Sequence, residues 1–240
     1  TISQRIHNEV YRRSGGRLEF DGNYEGLESF FKAAFGDASV TSALVTGTAY
    51  THTYALKKLL PTPGLTLEIN RDVKSFLYEA VKIASFEISQ GPESFMRVAF
   101  DILGRNETRV TASSPTFPSV LPIHNNQLTF KIATVATTVN NLRIMLNNNI
   151  AHRQSTSIDA KELNRVGKRE VTISFEIDFE DETQYDNFMN MSNVALEAKW
   201  EGAVITGAEK YRYEFDFPKC NFLGSTPVVG GPGPLTYEIT

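Results

Sequence analysis

The chain has 240 residues, of which 41% are hydrophobic and 22% charged, and 24 lysines and arginines oppose 28 acidic residues for a formal charge of −4. This composition excludes a disordered or collagen-like chain, and the acidic excess argues against tight nucleic-acid binding, which needs surplus basic side chains. The single cysteine, Cys220, cannot form an intrachain disulfide, and no stretch approaches the ~20 consecutive apolar residues of a membrane helix.

Alternation of apolar and polar residues dominates the chain and is typical of half-buried strands. The clearest run is Val171 to Phe179, in which every odd position is apolar and every even position is polar. In chain order, we predict strands at 18–20, 51–56, 65–70, 82–89, 96–102, 128–133, 142–146, 171–179, 194–200, 211–217 and 235–239. The strands at 82–89 and 96–102 are close enough to form a hairpin, because the Gly91-Pro92 pair between them is a strong turn signal.

Two segments show helical spacing instead. In 24–35, the apolar residues Leu27, Phe30, Phe31 and Ala34 share one face, and Gly36 follows where a helix stop is expected. In 181–191, Tyr185, Phe188 and Met189 recur at the same spacing, after acidic residues that suit a helix N-terminus.

These elements predict a mainly β protein: an antiparallel β-sandwich or barrel with one or two short flanking helices. We treat residues 1–240 as a single domain. Two segments lack sustained periodicity, a long loop at 147–167 and a flexible C-terminal segment at 226–240. The strand-like end of that last segment is a candidate for pairing with a neighbouring chain.

A search for catalytic and metal-binding motifs found no nucleotide-binding loop, paired metal-ligand histidines, nucleophile elbow or Cys-x-x-Cys. The four histidines are scattered in the sequence. Asp178, Asp181 and Glu182 join a strand end to a helix start, where carboxylates are expected as caps. We therefore predict no catalytic residue, no metal and no cofactor.

The polar positions of the alternating strands are the candidate functional residues. They are Glu87, Arg97, Asp101, Thr172, Ser174, Glu176 and Asp178. Four acids against one base fit a plain solvated face, and they also fit the lining of a water-filled channel that repels polyanions. Composition alone does not choose between the two.

The order of these features resembles the tail tube proteins, or major tail proteins, of long-tailed bacteriophages. The matching segments are EVYRR (9–13), GRLEF (16–20), GNYEGLESFFKAAFG (22–36), KIASFEI (82–88), VAFDILG (98–104), LRIMLNNN (142–149), 167–181 and YDNF (185–188). They look like that family's strand and short helix, its central hairpin, and its second strand pair with a flanking helix. The resemblance runs from about Glu9 to Trp200 and consists of strand and turn patterns.

The resemblance implies a non-enzymatic structural protein of the virion tail, assembled in the host cytoplasm. Members of the family self-assemble into rings, commonly of six copies, that stack into a tube. The seven candidate residues would then face the lumen, and DNA would pass without tight binding. Loops such as 147–167 and the chain ends would join the rings, and tape-measure, tail terminator and tail-tip proteins are the expected further partners.

Two alternatives stay open at this point. The first is a non-enzymatic β-sandwich binding module, such as an adhesin or carbohydrate binder, which would expose aromatic side chains on one face. Tyr211, Tyr213, Phe215 and Phe217 alternate in that way, although burial in the core also explains them. The second is a hydrolase on a β scaffold, which needs convergent carboxylates that the sequence does not show.

Overall fold

The computed structural model of the protein describes residues 14–36, 40–116, 119, 122–153, 162–179, 181–223 and 236–240. Within them, the chain forms sixteen strands and two α-helices. The strands are β1 (Ser14–Asp21), β2 (Val40–Thr46), β3 (Ala49–Tyr54), β4 (Leu65–Arg71), β5 (Lys74–Gln90), β6 (Arg97–Gly104), β7 (Asn106–Val110), β8 (Leu128–Ile132), β9 (Val135–Thr137), β10 (Asn141–Asn147), β11 (Ile150–Arg153), β12 (Glu162–Arg165), β13 (Glu170–Asp178), β14 (Val194–Thr206), β15 (Glu209–Cys220) and β16 (Thr236–Ile239). The helices are α1 (Glu28–Phe35) and α2 (Thr183–Met189). This mainly β, antiparallel architecture with two short helices confirms the predicted fold class.

The largest sheet, which we call the central sheet, has the strand order β1-β6-β5-β10-β13-β16. Every neighbouring pair in it is antiparallel. The predicted hairpin is confirmed, since Phe86 lies opposite Phe100 and Ile88 opposite Val98. The first half of β5 leaves this order and pairs with β4 and β7 to form an arm.

A second sheet, with the order β15-β14-β8-β9, packs against the central sheet. Alternate residues of both sheets face each other, and the ring centroids of Phe130 and Phe175 are 4.9 Å apart across the interface. Trp200 on β14 is fully buried, and its indole N–H donates to the side-chain oxygen of Gln90 at the end of β5. Burial of apolar surface between the two sheets is therefore the main source of stability.

Helix α1 closes one side of the core. Phe31 is 3% exposed, and its ring lies 5.9 Å from Phe86 and 5.6 Å from Tyr213, so that it contacts both sheets. The helix ends at Gly36, as predicted, with φ of 123°, a value that side chains rarely allow. Asn148, which follows β10, is fully buried and donates to the backbone oxygen of Ala34, so a carbonyl of the last helical turn is satisfied.

Helix α2 begins later than the sequence pattern indicated. Its first residue is Thr183, whose N–H donates to the carboxylate of Asp181 at 2.8 Å. Asp181 thus takes the capping role predicted for the acidic run, whereas Met189, predicted on the packing face, is 59% exposed. None of the α2 residues is fully buried, and Phe188 packs against the core from a half-buried position.

Several segments differ from the predictions. In 147–167, predicted as a loop, β11 and β12 pair in an antiparallel hairpin, and residues 154–161 lie outside the described residues. In 226–240, β16 pairs with β13 of its own chain along one edge, and pairing of this strand with a neighbouring chain stays a prediction. The predicted flexible stretch 226–235 lies outside the described residues. The strands β2, β7 and β9 were not predicted, because their regularity comes from pairing with β3, β5 and β8 and not from local alternation.

Candidate functional site

The candidate site is the solvent side of the central sheet, opposite the core, which we call the polar face. All seven predicted residues project from it: Glu87 from β5, Arg97 and Asp101 from β6, and Thr172, Ser174, Glu176 and Asp178 from β13. Their sequence neighbours are buried, as alternation requires, except at the two ends of β13, where Val171 is 43% exposed and Phe179 is half-buried. The antiparallel pairings of β5 with β6 and of β10 with β5 and β13 bring these residues onto one continuous surface.

Glu87 is the centre of an ion-pair cluster on this face. Arg143 on β10 makes a bidentate contact with Glu87. Its Nε donates to Oε1 at 2.9 Å, and its Nη2 donates to Oε2 at 3.1 Å. Arg17 on β1 donates Nη2 to the same carboxylate at 3.3 Å, and its Nη1 lies 3.6 Å from Asp101. Hydrogen bonds from Arg143, followed by those from Arg17, hold the pKa of Glu87 below its ordinary value.

Two further acids of the face, Glu176 and Asp178, accept hydrogen bonds from neutral groups. Glu176 accepts from Nδ2 of Asn141 at 2.6 Å, and Asp178 accepts from Nδ2 of Asn140 at 3.2 Å. The hydroxyl of Ser174 lies 3.3 Å from that of Thr240 beside β16. Their negative charges are therefore not neutralised by these contacts.

The two remaining predicted residues occupy different parts of the face. Thr172 is half-buried and lies opposite Met145 on β10. Arg97 is exposed and begins β6, opposite Asp21 of β1.

Sequence reasoning missed part of this surface. Arg143 could have been found by extending alternation through β10, because Leu142, Ile144 and Leu146 are all buried. The residues of β1 had no such signal, since its first half reads Ser-Gly-Gly-Arg and it becomes regular only by pairing with β6.

Among the described residues, the polar face carries eight carboxylates against four basic side chains. The acids are Glu19, Asp21, Glu87, Asp101, Glu170, Glu176, Asp178 and Glu238, and the bases are Arg17, Lys82, Arg97 and Arg143.

A separate cleft of about 1620 Å³ lies on the other side of the molecule, between α1, β3 and β15. The alternating aromatics of β15 pack against the core there. Tyr213 lies 5.6 Å from Phe31, its hydroxyl donates to the backbone oxygen of Asn23, and burial raises the pKa of that hydroxyl. These side chains thus take part in packing and do not form the exposed aromatic surface that a carbohydrate binder would present.

The histidine, cysteine and acidic side chains of the described part of the chain do not converge on a metal site. No group of three or more His, Cys, Asp or Glu side chains within it could hold a metal ion. The thiol of Cys220 has its pKa raised by burial, the opposite of an activated nucleophile. No helix among the described residues is long and apolar enough to cross a membrane.

Comparison with known proteins supplies the family. No curated protein matches the chain. The family model described as "Phage tail tube protein" matches residues 8–240, nearly the whole chain. The protein is accordingly a structural, non-enzymatic component of the virion tail that associates with itself there, and it belongs to the phage tail tube protein family.

Proposed function

We propose that copies of this chain, six to a ring, join their central sheets edge to edge, and that the rings stack into the tail tube through which the phage genome passes. On this proposal, the polar face lines the lumen. The observation that carries the proposal is an acidic face on an open sheet whose two edge strands are suited to pair with each other.

The strand directions support ring closure. Six antiparallel strands alternate in direction from β1 to β16, so the two edge strands of one subunit run in opposite directions. In a head-to-tail ring, β16 of one copy would meet β1 of the next in antiparallel orientation. Such pairing would also cover strand edges that otherwise promote aggregation.

The width of the sheet supports a pore large enough for duplex DNA. At about 4.8 Å per strand, the six strands of one subunit add about 29 Å to a circumference. Six copies would give a circumference of about 170 Å and a diameter of about 55 Å between opposing backbones, and strand tilt would widen it further.

The charge of the polar face supports passage without adhesion. Eight carboxylates against four basic side chains leave the face acidic, and an acidic wall repels phosphates. DNA could then slide through without the tight backbone contacts that give DNA-binding proteins their affinity.

We assign the contacts between rings and with other tail proteins to segments that lie outside the two sheets. The β2–β3 hairpin pairs only with itself and exposes Leu44, Val45 and Tyr50 by 49% or more. Apolar exposure of this kind marks an interaction surface. We assign ring-to-ring contacts to this hairpin, to the 147–167 segment with β11 and β12, and to the chain ends, and we expect tape-measure, tail terminator and tail-tip proteins to bind at the ends of the tube.

Electron microscopy of the purified protein at rising concentration, with sedimentation to give its mass, tests the proposal. Stacked rings with a central hole wider than duplex DNA are the expected result. A monomer at every concentration, also after addition of tail-tip components, would refute it. Ligand screens for a β-sandwich binder would then be the next step, although the packing of the β15 aromatics gives that alternative no support.

A further inference from the structure

Two of the three arginines on the acidic polar face, Arg17 and Arg143, lie beside Glu87, where DNA in the lumen could contact them. The side chain of Arg143 is 55% exposed and that of Arg17 is 43% exposed. A guanidinium is well suited to bind phosphate, because its planar array of donors matches the phosphate oxygens. Left unpaired, these two side chains would interrupt a surface that otherwise repels DNA.

Glu87 lies between them and occupies their donors. It receives two hydrogen bonds from Arg143 and one from Arg17, and its own side chain is only 17% exposed. The remaining donors of Arg17 are directed to other carboxylates, with Nε 2.8 Å from Glu19 and Nη1 3.6 Å from Asp101. Asp101 is itself held by the hydroxyl of Ser85 at 2.6 Å.

We propose that Glu87 is a specificity-determining residue of the polar face, which keeps Arg17 and Arg143 from binding the phosphates of passing DNA. It does so by engaging their donors and cancelling part of their charge. Among the described residues, Glu87 is the carboxylate that contacts both arginines. This role rests on the proposed function, since it matters only if the polar face meets DNA.

Stability alone gives a weaker account of the cluster. Ion pairs with arginines this exposed contribute little to folding, because solvent screens them and ordering the side chains costs entropy. The hydrogen bonds to Glu87 instead fix the orientation of both guanidinium groups. That orientation determines whether their N–H donors are available to a ligand.

The test compares DNA binding by Glu87→Gln and by a matched control, Glu176→Gln. Both substitutions remove one negative charge from the polar face. Among the described residues, Glu176 accepts its side-chain hydrogen bond from the neutral Asn141 and forms no ion pair with an arginine, so its loss releases none. Binding of a short fluorescent DNA duplex to the full-length, unassembled protein is measured by anisotropy. We expect Glu87→Gln to bind more tightly than the control and the wild type.

The salt dependence identifies the contacts. Each phosphate contact made by a released arginine predicts that the gain in binding falls about threefold between about 50 and 200 mM salt, because each contact releases counterions. Release of Arg143 alone therefore predicts a fall of about threefold, and release of Arg17 as well a fall of about tenfold. Adding Arg17→Gln and Arg143→Gln to the Glu87→Gln variant should abolish the gain. Asp101→Asn, which loosens only Arg17, should give a smaller gain and serves as the second variant if Glu87→Gln does not fold.

Equal binding by Glu87→Gln and Glu176→Gln would overturn the role of Glu87, because charge alone would then explain the effect. A gain that survives removal of both arginines would overturn it as well. The proposed function fails on a different readout, namely the absence of rings from wild-type protein in the microscope. The two failures are therefore distinguishable.

Discussion

The hydrogen bond between Trp200 and Gln90 joins the two sheets at a buried point, and it gives the sharpest stability prediction. Trp200 is 0% and Gln90 is 5% exposed. The indole N–H donates to the Gln90 side-chain oxygen, and the Gln90 amide donates onward to the backbone oxygen of Ser94 at 3.1 Å. Both partners are satisfied only because the other is present.

Gln90→Leu would leave the indole N–H buried without an acceptor, which costs about 1–3 kcal/mol of the free energy of unfolding. Trp200→Phe would orphan the Gln90 oxygen and leave a small cavity, for a cost of about 2 kcal/mol or more. The double variant removes both polar partners, so its cost should be smaller than the two single costs added together by about 1–2 kcal/mol.

The free energy of unfolding is measured for the wild type, the two single variants and the double variant by urea unfolding of the unassembled protein. Far-UV circular dichroism follows the unfolding, because its signal does not depend on the tryptophan that one substitution removes. For a chain of this size, each kcal/mol also corresponds to about 2–4 °C in Tm. Gln184→Leu on the half-exposed surface of α2 is the matched control, and it should change stability by less than about 0.5 kcal/mol. Strict additivity of the two buried substitutions would refute the reasoning, because it would mean that the hydrogen bond does not couple the sheets.

Three further predictions follow from the polar face and from the end of α1. Glu176→Lys with Asp178→Lys replaces two negative charges by two positive ones and so raises the net charge of each subunit by four. Assembled tubes should then retain DNA fragments in co-sedimentation at low salt, and tubes that retain no more than wild type would contradict the lumen assignment. Gly36→Ala should lower Tm, because φ is 123° and a β-carbon there would lie 2.5 Å from a backbone oxygen; an unchanged Tm would refute the strain. The hydrogen bonds from Arg143 lower the pKa of Glu87 from its ordinary 4.5, so its contribution to stability is complete above the unfolded-state pKa and is lost as pH falls through the lower folded-state value. The difference in stability between wild type and Glu87→Gln should therefore shrink as pH falls below the ordinary 4.5 and through the lower folded-state pKa, and a constant difference across pH would contradict this assignment.

The local pattern of apolar and polar residues was sufficient to predict most of the strands and helices. It also predicted most of the charged residues that lie on the polar face. Strict alternation in 171–179 predicted β13 and, with it, the outward direction of Glu176 and Asp178. Helical spacing and Gly36 predicted the end of α1 at its observed residue. These signals are readable in the sequence because burial on one side of a strand or helix repeats with a fixed period.

The tertiary structure determined features that the spacing of apolar residues along the chain does not encode. Pairing makes β7 and β1 regular although neither alternates well, and β16 finds its partner in β13, about 60 residues earlier in the chain. Gln90, which lies just beyond the predicted strand 82–89, ends β5 and is buried against Trp200.

The same distinction holds for the site. The sequence identified Glu87 as an outward carboxylate, but only the strand order brings Arg17 from β1 and Arg143 from β10 to it, across 70 and 56 residues of chain. Direction relative to the core is a local property of a strand, whereas the identity of a neighbour depends on sheet order and register, which are set by contacts distant in sequence.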